Sequence, residues 1–201
     1  MLGELSKYCI GLFQNTINDF MSILIQNLQI SNTSVCNNAS WAIGEFLISL
    51  GTERSKPYCE AILTKEVQII NSKNLKLSLM ENTAVTIGRL AYVCPDLVAP
   101  HLASFCTYWC IALKTVRHTI EKDHAFRGLC LMVRKNPQAT MQSFPYICDA
   151  IASWTNPPKE LAEEFHTLLH GFKKSIGDTW PTYYSSFPKD LIETLSKNYG
   201  L

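Results

Sequence analysis

Asn37-Asn38-Ala39-Ser40-Trp41-Ala42-Ile43-Gly44-Glu45-Phe46 is the stretch that decides the fold. Read as a helix from about Val35 to Leu50, it carries apolar side chains at Val35, Ala39, Ala42, Ile43, Phe46 and Leu50. That is the i, i+4, i+7, i+8 stripe of a helix lying on a core. Trp41 stands off the stripe. At ~100° per residue it points about 150° from the stripe's centre, on the side that carries Asn37, Glu45 and Ile48. Either a second neighbouring helix covers this ring, as stacked helices allow, or the ring is presented to a partner.

Internal repetition extends the reading. Gly3, Gly44, Gly88, Gly128 and Gly171 recur at intervals of 40–44 residues, each inside a helical pattern. Glycine in a helix interior costs about 1 kcal/mol relative to alanine, so its recurrence implies close approach of neighbouring helices. The interval matches the ~40–47 residues of HEAT or armadillo units. Second helices fill the gaps: about Thr16 to Gln29, Lys56 to Ile70 with Pro57 in its first turn, Pro95 to Leu113, and Pro137 to Trp154. Proline suits a first turn because its missing N–H is one that would be orphaned there. Breaks are expected at Gly51-Thr52, Asn71 to Asn74, Lys135-Asn136-Pro137, Asn156-Pro157-Pro158 and Gly177-Asp178. No alternating Val/Ile/Thr run is flanked by hairpin turns. The expected fold is all-α: an α-α superhelix, a HEAT-repeat solenoid of about ten antiparallel helices. It runs over residues 1–201 as a single array and ends in an unpaired helix near Tyr199. The opening pattern, Leu2 to Cys9, lacks both a partner helix and a capping repeat, so the chain is expected to be the C-terminal segment of a longer solenoid.

Composition narrows the function. Hydrophobic residues make up 47% and charged residues 17%, a globular rather than a disordered balance. A net charge of +1 offers no concentrated positive surface, so direct nucleic-acid binding is not expected. No apolar run approaches the ~18–20 residues of a bilayer span, and no charged-then-apolar leader is present, so membrane insertion is not expected. Cys9, Cys36, Cys59, Cys94, Cys106, Cys110, Cys130 and Cys148 are scattered singly through apolar contexts, without C-x-x-C or zinc spacing. They read as reduced, mostly buried thiols of a nucleocytoplasmic protein. His166 and His170 have metal-ligand spacing on one helix, but Thr167 stands where the zincin signature needs glutamate. Phosphate-binding glycine loops and a nucleophile elbow are absent. Neither catalysis, a metal site nor a cofactor is expected.

Counting from the glycines aligns the repeats. Three residues before them stand Trp41 and Val85; seven before, Asn37, Glu81, Glu121 and Glu164; one after, Glu4, Glu45, Arg89, Leu129 and Phe172; four after, Ile48 and Tyr92. These offsets share one helical face, and side-by-side helices stack such faces at about 10 Å. The expected result is a strip of apolar groups (Trp41, Ile48, Val85, Tyr92) bordered by carboxylates (Glu4, Glu45, Glu81, Glu121). It suits an extended partner with hydrophobic and basic residues, and the tryptophan suits an arginine by cation–π contact. The first two full repeats carry the strip; near the end of the chain Leu168 and Phe172 read as core.

The run Ser34-Val35-Cys36-Asn37-Asn38-Ala39-Ser40-Trp41-Ala42-Ile43-Gly44-Glu45 resembles a signature of the transportins, nuclear import receptors of the karyopherin-beta family. Glu81-Asn82-Thr83-Ala84-Val85-Thr86-Ile87-Gly88-Arg89-Leu90, Tyr92-Val93-Cys94-Pro95, Glu121-Lys122-Asp123, Ala125-Phe126-Arg127-Gly128 and Leu169-His170-Gly171-Phe172-Lys173 extend the resemblance over essentially the whole chain. It implies a superhelix of about twenty HEAT repeats, of which this chain would hold the last five or so. It also implies binding of proline-tyrosine nuclear localisation signals of cargo proteins on a concave surface, release by Ran, passage among nucleoporins, and shuttling between cytoplasm and nucleus. By the same resemblance Trp41 and Val85 contact the hydrophobic or basic part of the signal, with Glu4, Thr33 and Asn37 in or near that pocket. Thr33 replaces an isoleucine of the family, and Val85 is one methylene smaller than its counterpart; both thin the apolar pocket. The other reading is a HEAT scaffold that joins proteins and recognises no signal.

Overall fold

The computed structural model describes Gly11 and residues 15–201, and among these every regular element is helical. α1 (Ile17–Gln26) leads through a 3-10 turn at Ile30–Asn32 into α2 (Thr33–Ile70). The Asn32 side chain caps α2 by accepting from the Val35 N–H at 3.3 Å, satisfying one of the donors that open a helix. α2 bends at Gly51, whose φ of 70° and ψ of −176° favour glycine. The Thr52 hydroxyl donates to the Val93 carbonyl at 2.8 Å and so ties the bend to the end of the next helix. Helical structure resumes at once after Gly51, earlier than the Lys56 start expected from Pro57.

The chain continues through α3 (Leu77–Val93), α4 (Pro95–Val98), a 3-10 turn at Ala99–Ser104, α5 (Cys106–Thr115) and α6 (Ile120–Lys135). A 3-10 turn at Gln138–Ser143, α7 (Phe144–Ala152), α8 (Lys159–Ile176), α9 (Trp180–Tyr184) and α10 (Lys189–Tyr199) complete it. The runs from Pro95 to Leu113 and from Pro137 to Trp154, expected as single helices, are each broken. Pro100 interrupts the first, and Pro145 stands in the opening turn of α7, because proline clashes with the preceding turn of any helix it sits inside. Breaks expected at Asn71, Asn136, Pro157-Pro158 and Gly177 fall at helix ends.

Two layers result, the arrangement of a HEAT-like solenoid. α2, α3, α6 and α8 pack side by side in that order, while α5 and α7 pack together in the second layer. The Trp109 indole of α5, fully buried, donates to the Ala84 carbonyl of α3 at 2.9 Å and joins the layers. The last helix is not left unpaired: α10 packs on α7 and α8, and the His170 ring meets the Tyr199 carbonyl at 2.8 Å. Of the apolar stripe of α2, Ala39, Ala42, Ile43, Phe46 and Leu50 are buried, whereas Val35, in the first turn, is 39% exposed.

The repeated glycines divide into two kinds. A methyl group on Gly88 would stand 2.4 Å from Ala125 Cα, and one on Gly128 would stand 2.1 Å from the Gly88 carbonyl oxygen, so the α3 and α6 backbones touch. At Gly44 the methyl would meet Thr86 Oγ1 at 3.0 Å and Arg89 Cδ at 3.3 Å, which is side chain rather than backbone. Gly171 has open space around it and does not mark a close crossing. Gly3 lies outside the described residues.

Two of the buried ionisable groups have strongly shifted pKa values. Lys122, with no exposed surface, donates to the Val116 carbonyl at 2.9 Å and lies over the Phe126 and Trp154 rings; burial lowers its pKa to about 8. Glu66 is also fully buried, and burial raises its carboxyl to about 8 against the pull of the Ser40 and Thr83 hydroxyls. It is therefore held neutral in the folded protein.

Gly88→Ala should destabilise the chain by ~2–3 kcal/mol or more, the range for overpacking. Gly171→Ala should be neutral or stabilising by up to ~1 kcal/mol through helix propensity. Urea unfolding of both variants checks this, and equal effects would contradict it. Glu66 gives a pH test. Its raised pKa means that only the folded state keeps the proton between 4.5 and about 8, so stability falls as pH rises through that window and levels off above it. Glu66→Gln should be more stable than wild type by ~2–4 kcal/mol at pH 9, with the gap closing below pH 4.5.

Candidate functional site

A polar ladder joins α2 to α3. Asn82 Nδ2 donates to Asn37 Oδ1 at 3.1 Å, the Thr86 hydroxyl to the Ser40 carbonyl at 2.8 Å, and Arg89 Nη1 to Glu45 Oε1 at 2.6 Å. Each bond links positions 45, 46 and 44 residues apart, so each joins near-equivalent places in consecutive repeats. Gly44 leaves the room that Thr86 and Arg89 need. The lower rungs are dry: Ser40 and Thr86 are fully buried, and Glu45 and Arg89 are 4% and 2% exposed.

The ladder extends across α3 to α6. Trp41, half-buried against the core, donates its indole N–H to Glu121 Oε1 at 3.2 Å, bridging 80 residues of sequence. Arg89 Nη2 stands 3.9 Å from the same carboxylate oxygen. Arg89 therefore lies between a buried glutamate and a partly exposed one, and Glu121 lies between Arg89 and Trp41. Beside them the Tyr92 ring, 41% exposed, stacks on His124 at 5.9 Å with the planes 8° apart. Burial, and then the Arg89 charge, push the His124 pKa down. It is neutral at pH 7 and adds no positive charge to this face.

The structure separates the residues of the expected strip. Trp41 and Ile48 are half-buried and Tyr92 is exposed. Val85 is 5% exposed and lines the floor rather than the surface. Glu81 and Glu121 are half-buried at the edge of the strip, but Glu45 is not a border carboxylate: it is buried under its ion pair with Arg89. Thr33 is half-buried in the first turn of α2, its hydroxyl donating to the Ile30 carbonyl at 3.3 Å, and Asn37 is half-buried and held by Asn82. Glu4 lies outside the described residues. Arg89 and Glu121 as partners were missed, although for Arg89 a signal was present. Glu45 and Arg89 each follow a repeat glycine, which sets opposite charges at equivalent places on adjacent helices; Glu121, seven residues before Gly128, carried no such mark.

His166 and His170 stack at 4.1 Å, and His170 is engaged with the end of α10. Among the described residues no group of three or more His, Cys, Asp and Glu side chains is placed to hold a metal ion, and no helix is long and apolar enough to cross a membrane. The seven described cysteines are free and buried. Desolvation pushes the Cys36 and Cys59 thiols up to about 11 and 12, leaving them protonated and unreactive.

Comparison with known proteins relates the sequence to part of longer chains. Transportin-1 of Mus musculus and of Homo sapiens are each 48% identical to the chain over 202 aligned residues, covering 100% of it. Along its whole length the chain is homologous to a segment of a transportin. The transportin of Dictyostelium discoideum is 43% identical over 201 residues, again covering 100% of the chain. The chain spans 22% of the length of each of these transportins. Residues 119–200 also match a family profile described as proteasome activator complex subunit 4-like, C-terminal. That match takes in α6 to α10 and leaves out Trp41 and the α2–α3 ladder, which the transportin similarity includes.

The buried pair generates a stability prediction. Arg89→Met should cost ~3–5 kcal/mol, because Glu45 then loses its 2.6 Å ion pair at a site that is almost fully buried. Adding Glu45→Leu should restore much of the loss. Denaturant unfolding of the single and double variants measures both, and an undiminished single variant would contradict the assignment.

Proposed function

We propose that the chain is a cargo-binding segment of a nuclear import receptor, and that it takes localisation signals of the proline-tyrosine type across α2, α3 and α6 at Trp41. The observation that carries this reading is the Trp41 ring itself. It is half-buried, and its N–H is fixed by Glu121 from two helices away. An aromatic ring held in one orientation loses little freedom on binding and makes a good anchor. Glu121 at its N–H, with Glu81 in the equivalent repeat position on α3 and His124 uncharged, suits a segment mixing apolar and basic residues, although Arg89 shares Glu121. Tyr92 supplies a second exposed ring on the same side.

In this reading Trp41 makes the principal contact, with Glu81, Asn37 and Thr33 at its margins. Val85 supports from below, and Glu45 acts through Arg89 rather than by touching cargo. Glu4 joins the set from its position one residue after Gly3 in the repeat register. The described residues would contribute one stretch of a longer helical array, since the chain spans 22% of the length of the transportins it resembles. Contacts with Ran and nucleoporins, and shuttling between cytoplasm and nucleus, belong to the whole receptor. Its work is transport, not catalysis, in keeping with the transportin names of its relatives.

Calorimetric titration with a basic, hydrophobic signal peptide tests the proposal. Trp41→Ala should lose ~1–3 kcal/mol of affinity, the range for an interface hot spot, with the unfolding midpoint little changed. Unaltered affinity would point instead to a scaffold that recognises no signal.

A further inference from the structure

Tyr92 follows Arg89 by one turn of α3, and His124 follows Glu121 by one turn of α6. The two turns meet twice. Arg89 Nη2 stands 3.9 Å from Glu121 Oε1, and the Tyr92 and His124 rings stack at 5.9 Å with their planes 8° apart. One face of the phenol ring is therefore fixed on the imidazole, while the residue remains 41% exposed. His124 Nδ1 is buried without a hydrogen bond among the described residues. That would be costly for an imidazolium, whose two N–H groups both need acceptors, so the ring has a neutral backing. The charges around His124 come from Glu45 of α2, Arg89 of α3, and Asp123 and Arg127 of α6. Arg89 meets Glu45 and Glu121, while Arg127 meets Asp123 at 2.7 Å and Glu160 of α8 at 3.5 Å. Two guanidinium groups thus face four carboxylates, and the cluster is negative as a whole.

We infer that the open face of the Tyr92 ring is a second subsite on the surface around Trp41, taking an arginine side chain of the bound signal. The inference rests on the cargo reading of Trp41 and adds to it a residue that selects one kind of basic side chain. The excess of carboxylates favours a cation and opposes an acidic occupant. A ring this exposed gives an apolar group little enclosure, whereas cation–π attraction operates at exposed rings. A guanidinium is planar and weakly hydrated, so it stacks on an aromatic face more readily than the compact, strongly hydrated ammonium of lysine. Trp41 and Tyr92 lie on adjacent helices, and both are fixed to one turn of α6, through Glu121 and His124. Helix spacing sets the two rings on the order of 10 Å apart, which extended chain spans in about three residues.

Calorimetric titration of the full 201-residue chain tests it. Signal peptides carry arginine, lysine or citrulline, the uncharged analogue of arginine, about three residues from the apolar residue seated on Trp41. One series places the variable residue before the apolar one and another places it after. In one series the arginine peptide should bind about threefold to tenfold more tightly than the citrulline peptide, with lysine between them. Tyr92→Leu, which keeps apolar bulk and removes the ring, should bring that ratio close to one, and Tyr92→Phe should retain it. Trp41→Ala should weaken every peptide. A ratio near one in both series, a ratio that survives in Tyr92→Leu, or one lost in Tyr92→Phe would overturn the subsite, while weakening in Trp41→Ala would leave the cargo reading standing. Unaltered affinity in Trp41→Ala would sink the cargo reading and the subsite with it.

Discussion

The backbone contact between α3 and α6 is the constraint on which the rest of the site depends. Gly88 and Gly128 leave no space for even one methyl group at that crossing. A side chain at either position would force the helices apart, and interiors are too closely packed to absorb such a shift without moving their neighbours. Because α3 is held tight against α6 and bonded by a ladder to α2, residues on the two outer members of this trio come within reach. The Trp41–Glu121 hydrogen bond is the product: a contact across a whole helix that ordinary helix spacing of 8–10 Å would not allow.

Electrostatics then decides which charged groups serve the surface and which serve the fold. Arg89 is shared by Glu45, at 2.6 Å, and Glu121, at 3.9 Å. A guanidinium is the group suited to this because its planar fork presents several donors at fixed angles. With Glu45 withdrawn into the ladder, Glu121 is left to face both Arg89 and the tryptophan. Other buried ionisable groups are resolved differently: Glu66 is kept neutral by desolvation, Lys122 finds a carbonyl and two aromatic faces, and Asp123 pairs with Arg127. Glu121 is thus shared between the Trp41 indole and Arg89, while Glu81 stays half-buried at the start of α3.

Much of this was legible in the sequence, and the exceptions have physical causes. Glycine recurrence revealed the all-helical repeat and the close crossings because mid-helix glycine is costly unless the backbone must come near something. It could not distinguish Gly171, where the same residue lies beside a gap, since exposure depends on how far apart two helices settle. Proline at 100 and 145 broke helices that hydrophobic periodicity alone ran together. The angle off the apolar stripe set Trp41 apart from the core residues, but neither its partial cover nor the burial of Glu45 and Val85 followed from it. Helical phase says which way a side chain points; it does not say that Arg89 on the next helix covers it. The partial cover over Trp41 arises the same way, from Glu121 two repeats on.

The indole N–H resonance of Trp41 is the most direct measure of whether the glycine crossing sets this site. Gly128→Ala should move that resonance to where Glu121→Ala places it, because separating α6 from α3 carries Glu121 out of reach. The Trp109 indole, bonded to Ala84 on α3, should stay in place and report that the fold is intact. A Trp41 resonance unmoved in Gly128→Ala would contradict the account, since the hydrogen bond would then survive without the contact held to create it.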